Sequence, residues 1–103
     1  MKKIHFKVPR DCNLAFAEQW IETACNRQRL DLAMKGTLAT YPGSTHWHYR
    51  KPGQKGTLEL TLFIPDRRIW AKIQDGRRAR WINATLPSLR KTIEQQLRSK
   101  PQT

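Results

Sequence analysis

The run Thr57-Leu58-Glu59-Leu60-Thr61-Leu62-Phe63-Ile64-Pro65-Asp66-Arg67-Arg68-Ile69-Trp70-Ala71-Lys72-Ile73 decides the fold. Leu58, Leu60, Leu62 and Ile64 take the even positions, and Thr57, Glu59, Thr61 and Phe63 alternate with them, the period of two expected of a strand with one buried face. After the break, Ile69, Ala71 and Ile73 share one face, and Arg68, Trp70 and Lys72 share the other. Proline cannot take the positive φ of a type I′ turn, so the spacing predicts a type I turn within a four-residue loop, Pro65 to Arg68. That loop sets Ile64 opposite Ile69, and Phe63 opposite Trp70 on the outer face.

On the amino-terminal side, Thr45-His46-Trp47-His48-Tyr49-Arg50 alternates again and returns through Lys51-Pro52-Gly53-Gln54, where Pro-Gly suits a type II turn. An even number of loop residues puts Trp47 beside Leu58 in the core and His46 opposite Glu59 outside. A slip of one residue would exchange the two faces. The outer face then gathers His46, His48, Arg50, Glu59, Thr61, Phe63, Arg68, Trp70 and Lys72.

Further out, Ile4, Phe6 and Val8 alternate with Lys3, His5 and Lys7 in a short strand that Pro9 ends. Asp11 or Asn13 can cap a helix carrying Leu14, Ala17, Ile21, Ala24, Cys25 and Gln28 at helical spacing, flanked by Phe16 and Trp20. Gly36 is its first firm stop, Gly36 to Tyr41 is read as a further strand, and Pro42-Gly43 as a turn. At the other end, Ile82, Leu86, Leu89, Ile93 and Leu97 form an apolar stripe, with Asn83 expected as N-cap and Pro87 in the first turn. The reading is a single α+β domain, residues 1–98, with a frayed tail at 99–103. Its two layers are an antiparallel sheet of three or four strands and two helices on one face, in β-α-β-β-β-α order.

Charge points to the partner. The chain has 20 Lys and Arg against 8 Asp and Glu, a formal net charge of +12. Residues 50–103 hold thirteen basic and four acidic side chains, so +9 of the excess lies there. Such self-repelling density fits a polyanion, with nucleic acid first and an anionic membrane surface second. No apolar run approaches the roughly 20 residues of a spanning helix, and Met1-Lys2-Lys3 leads into no apolar signal core, so a cytoplasmic location without membrane insertion is expected. Cys12 and Cys25 would lie roughly 20 Å apart along one helix, too far for a disulfide.

The basic loop Arg50 to Lys55 and the basic turn Arg77-Arg78-Ala79-Arg80 before the last helix, in helix-strand-strand-strand-helix order, resemble the double-stranded-RNA-binding domain over about Leu14 to Leu97. By position, that resemblance implies duplex-backbone contacts by Lys51, Lys55, Arg77, Arg78 and Arg80. Gly43-Ser44-Thr45-His46 is similar to the Gly-Ser-His segment of HicA-type toxins, with one residue inserted, and the element order is also similar to RelE-type ribonuclease toxins. That likeness implies a catalytic role for His46.

The expected function is therefore nucleic-acid binding, RNA slightly ahead of DNA, by electrostatic and shape-directed contacts. Its expected residues are Arg50, Lys51, Lys55, Arg68, Trp70, Lys72, Arg77, Arg78 and Arg80, with Trp70 a candidate for base stacking. Binding without chemistry comes first. The alternatives are a toxin-type endoribonuclease using His46, His48 and Glu59 as acid-base groups, and a module that docks on an acidic protein. No cofactor and no metal are expected. His46-x-His48 puts two imidazoles on one strand face, and a third ligand would have to come from Glu59 or His5.

Overall fold

The computed structural model describes residues 3–74 and 79–99. It is an α+β fold of two layers. Five strands form one antiparallel sheet: β1 (Lys3–His5), β2 (Asp31–Gly36), β3 (Thr45–Arg50), β4 (Thr57–Phe63) and β5 (Arg68–Gln74), in the spatial order β1-β5-β4-β3-β2. Two helices, α1 (Ala17–Arg27) and α2 (Arg80–Arg98), cover one face. Among the described residues no helix is long and apolar enough to cross a membrane.

The alternation in β3, β4 and β5 sorts the side chains as the sequence predicts. Trp47, Tyr49, Leu58, Leu60, Leu62, Ile69 and Ala71 are buried against the helices. Burying each Leu or Ile side chain of this set is worth about 1.5–3 kcal/mol. The α2 stripe Ile82, Leu86, Leu89, Ile93 and Leu97 is buried throughout. On α1, Ala17, Ile21, Ala24 and Cys25 meet it.

Registers differ from expectation by two residues, which keeps every side chain on its face. Trp47 pairs with Leu60 and His48 with Glu59; Leu62 pairs with Ile69, Phe63 with Arg68 and Thr61 with Trp70. The four-residue connection exists but begins one residue earlier. Ile64–Asp66 form a 3-10 turn, and Arg67 closes it in the left-handed region at φ 54°. The guanidinium of Arg67 donates to the carbonyls of Pro9 and Cys12 at 2.8 and 2.7 Å, so this cation fastens the turn to the segment after β1. Both Pro-Gly turns form as predicted, with Ser44 N donating to Tyr41 O, Gln54 N to Lys51 O, and φ positive at Gly43 and Gly53.

Three expectations are corrected. The sheet has five strands rather than three or four, because β1 joins β5, and β2, which spans Asp31–Gly36 rather than Gly36–Tyr41, extends β3. Helix α1 stops at Arg27, where Arg29 takes a left-handed conformation that closes the turn into β2. Helix α2 starts at Arg80, so Asn83 is an exposed helical residue and Pro87 lies inside the helix. The bond that Pro87 forgoes belongs to the Asn83 carbonyl; both residues are exposed, so water can take its place. The helix start at Asn13 does hold: its side chain accepts from Ala15 N and caps the 3-10 turn Leu14–Phe16. Neither cysteine is in a disulfide. Of the tail, residues 100–103 lie outside the described ones.

Helix α2 is tied to the other layer through Glu94, which accepts from Lys7 N at 2.8 Å and from Arg90 Nε at 2.9 Å. Burial acts to raise its pKa, but the bonds from Lys7 and Arg90 prevail and hold the carboxyl below the usual range. A depressed carboxyl adds stability above its unfolded pKa, and that stability is lost as pH falls through the folded value. Denaturant midpoints measured across the acid range should therefore drop for the native protein, and Glu94→Gln should flatten that drop.

Candidate functional site

The outer face of the sheet is organised in rows that the register makes explicit. One row runs Met34, His48, Glu59, Lys72, Lys3; its neighbour runs Gly36, His46, Thr61, Trp70, His5. Strand alternation and antiparallel pairing thus bring together residues from all five strands. At the centre, His46 Nε2 lies 3.1 Å from Glu59 Oε1 and 3.1 Å from His48 Nε2, and His48 Nε2 is 3.5 Å from Glu59 Oε1. The other ring nitrogen of His46 sits 2.7 Å from Thr61 Oγ1.

The cluster is buried. His46 is 4% exposed and Glu59 8%, while His48 is half-buried. Burial, opposed by the charge of Glu59 and reinforced by His48 and Lys72, holds the His46 imidazole below its ordinary pKa. That shift favours the neutral imidazole. Glu59 Oε2 has no hydrogen-bond partner among the described residues.

The connection between β2 and β3 lies across this face. Tyr41 packs edge-on against Phe63 and Trp70, with ring centroids 5.3 and 5.0 Å apart. Leu38, Thr40 and Tyr41 on one side and Lys3, His46, Glu59, Thr61, Trp70 and Lys72 on the other enclose a pocket of about 440 Å³. A larger hollow of about 640 Å³ lies between Pro9 to Asn13 and the end of α2, and it gathers no comparable set of converging groups.

Trp70 is not a stacking platform. It is 2% exposed, covered by Tyr41, with Lys3 Nζ 4.7 Å and the Arg68 guanidinium 4.9 Å from its ring centroid. Arg68 is thereby engaged, and it also lies 3.8 Å from Asp66. Lys72 stands between Glu59 and Lys3 in its row, beside the pocket.

Arg50, Lys51, Lys55 and Arg80 stand on segments that come together at one end of the sheet. The indole of Trp81 donates to the Lys55 carbonyl at 2.7 Å, and Gly56, at φ +101°, packs so closely on α2 that a Cβ there would come 2.8 Å from Ala79 Cβ. Only glycine fits both demands. The β3–β4 loop is thus laid against the first turn of α2, so the loop that carries Lys51 and Lys55 between Arg50 and β4 lies next to the turn that carries exposed Arg80. Among the described residues no carboxylate lies within 4 Å of these four cations. Arg77 and Arg78 lie outside the described residues.

Sequence reasoning missed Lys3 and Tyr41. Lys3 had a signal, since it alternates with Ile4 in the first strand. Tyr41 had none, because the fold-back of a connecting segment leaves no periodicity. No protein-family model, curated protein or solved structure matches this chain.

Proposed function

We propose that this protein binds nucleic acid, RNA ahead of DNA, by neutralising phosphates at the end of the sheet where the β3–β4 loop meets α2. The observation that carries the reading is the Trp81 and Gly56 junction, which gathers Arg50, Lys51, Lys55 and Arg80 without a neutralising carboxylate among the described residues. It is the loop-and-helix pairing that the double-stranded-RNA-binding resemblance points to. With Trp70 buried, the contacts are electrostatic and follow the backbone rather than stacking on bases. The cytoplasm is the compartment proposed for such a partner.

Filter binding against single- and double-stranded RNA and DNA at two salt concentrations tests this directly. Affinity should fall steeply with salt, as it does when several phosphates are neutralised. Binding that is absent or indifferent to salt would favour a module for an acidic protein instead.

A second reading, RNA cleavage, is favoured by the neutral imidazole of His46 beside Glu59 in a pocket that Lys72 also lines. His46 would take the proton of a ribose 2′-hydroxyl as its oxygen attacks phosphorus, Lys72 would face the charge on the non-bridging oxygens, and the P–O5′ bond would break with the departing 5′-oxygen taking a proton from water. This is also why RNA is placed ahead of DNA. RNA incubated with the protein stays intact if binding is the whole function; if it is cut, His46→Ala should abolish the cutting.

A further inference from the structure

We propose that His46, His48 and Glu59 form a binding site for a divalent transition metal of the zinc class, with its open coordination position facing the pocket beneath Tyr41. Three observations converge on it. The first is geometric: the two Nε2 atoms and Glu59 Oε1 make a triangle with sides of 3.1, 3.1 and 3.5 Å. A tetrahedral ion with ligands at about 2.0–2.1 Å spaces them about 3.3–3.4 Å apart. The circumradius of this triangle is about 1.9 Å, so an ion slightly above its plane reaches all three atoms at ordinary zinc distances without moving a side chain.

The second is an unmet demand. Glu59 is 8% exposed, yet its Oε2 has no partner among the described residues, and its Oε1 faces two imidazole nitrogens at once. Both Nε2 atoms can donate to that oxygen only if their two N–H groups also face each other across 3.1 Å, so no placement of protons satisfies all three pairs. A cation at the centre satisfies all three together.

The third is support. Thr61 Oγ1 holds the Nδ1 side of His46, the outer partner a metal-binding imidazole ordinarily has, which leaves Nε2 as the ligating atom. All four residues stand on β3 and β4, the paired strands inside the sheet, rather than on loops. Two imidazoles and one carboxylate suit zinc-class ions over calcium or magnesium, which prefer oxygen ligands throughout.

Lys72 and Lys3 line the same pocket and repel a bare dication. They also draw an anion to it. Two neutral imidazoles and one carboxylate leave a bound dication with net positive charge, so its open position suits an anionic oxygen, whether hydroxide or a phosphate oxygen. The site is argued from its own geometry and stands whether or not nucleic acid binds the far end of the sheet.

The 103-residue chain, stripped with a chelator, should be titrated with Zn²⁺ by calorimetry and with Co²⁺ by visible absorption. One ion per chain is expected, with the intense visible bands of tetrahedral Co²⁺ and without the near-ultraviolet band of a cobalt thiolate. Zn²⁺ at a hundredfold excess over its Kd should raise the melting temperature by about 10 °C. His48→Ala and Glu59→Gln should each weaken binding by more than about 100-fold, and the near-isosteric Thr61→Val by about 10- to 100-fold. His5→Ala, which removes the chain's one remaining imidazole, should change nothing.

Circular dichroism keeps loss of a ligand distinct from loss of the fold. Binding undiminished in folded His48→Ala and Glu59→Gln proteins would overturn the proposal, as would a thiolate band implicating Cys12 or Cys25, or no binding by the native chain. Inorganic phosphate should perturb the Co²⁺ spectrum. A spectrum indifferent to it would overturn the assignment of the open position.

Discussion

Replacing Arg50, Lys51, Lys55 and Arg80 together by alanine should cut RNA affinity by about a thousandfold at 0.1 M salt. Each phosphate neutralised on a single strand adds about 0.7 to the slope of log K against log salt, so removing four contacts should flatten that slope by about 3. The folded state should barely notice, because Arg50, Lys55 and Arg80 are exposed and Lys51 is half-buried in a loop. Lys35→Ala is the matched control. Its ammonium is held by Glu18 and Glu22 of α1 at 3.1 and 2.6 Å, so it is already neutralised and its loss should leave the slope unchanged. A quadruple variant that bound RNA with the native slope would remove the junction from the proposed function.

Trp47→Ala should destabilise the protein by about 3–5 kcal/mol, lowering the melting temperature by about 20 °C. Trp47 is 0% exposed, at the centre of β3, and its indole donates to Glu22 Oε2 at 2.9 Å. Burial acts to raise the pKa of that carboxyl, and bonds from Lys35 and Trp47 overcome it and hold the group below its ordinary range. Truncation therefore opens a cavity and withdraws one of two donors from a carboxylate at the sheet-helix seam. Trp47→Phe separates the effects. It keeps most of the volume and loses the donor, for about 1.5–3 kcal/mol, the usual worth of a bond to a charged group. Against a total stability of about 5–15 kcal/mol the alanine variant stands near the limit of folding. A melting temperature lowered by only a few degrees in that variant would mean that Trp47 does not fill the space assigned to it.

The faces of β3, β4 and β5 were legible because each strand is buried on one side by helices, which forces strict alternation in the sequence. Registers were not, since a shift of two residues leaves every face intact and the difference rests on which residue begins a turn. At Ile64 that choice fell to the 3-10 turn and the left-handed Arg67, which a pattern of apolar residues does not report. Strand β2 was hidden for the opposite reason. It is an edge strand, with Leu32 and Met34 exposed, so burial imposes no pattern on it. The early start of α2 was masked by Pro87, which is tolerated because the carbonyl it leaves free belongs to exposed Asn83.

The candidate site divides along the same line. His46, His48 and Glu59 were legible as neighbours because they share the outer face of two adjacent strands. Their convergence on one point was not, since it depends on the register placing His48 opposite Glu59 and His46 diagonally across from it. The burial of Trp70 was likewise out of reach. It depends on Tyr41, carried there by a connection whose path follows from its own hydrogen bonds, Leu38 N to Ser44 Oγ and Ser44 N to Tyr41 O.

The sheet ends on one side in three-residue β1 and on the other in β2, whose pairing is interrupted by an irregularity between Leu32 and Met34. An unpaired strand of regular pleat invites another chain to continue the ladder, a route that leads to aggregates. Here one border is too brief to template such growth and the other is out of step with any straight newcomer. At high concentration the molecule should therefore stay dispersed, and deleting Ala33 to straighten that border would be the shortest path to turbidity.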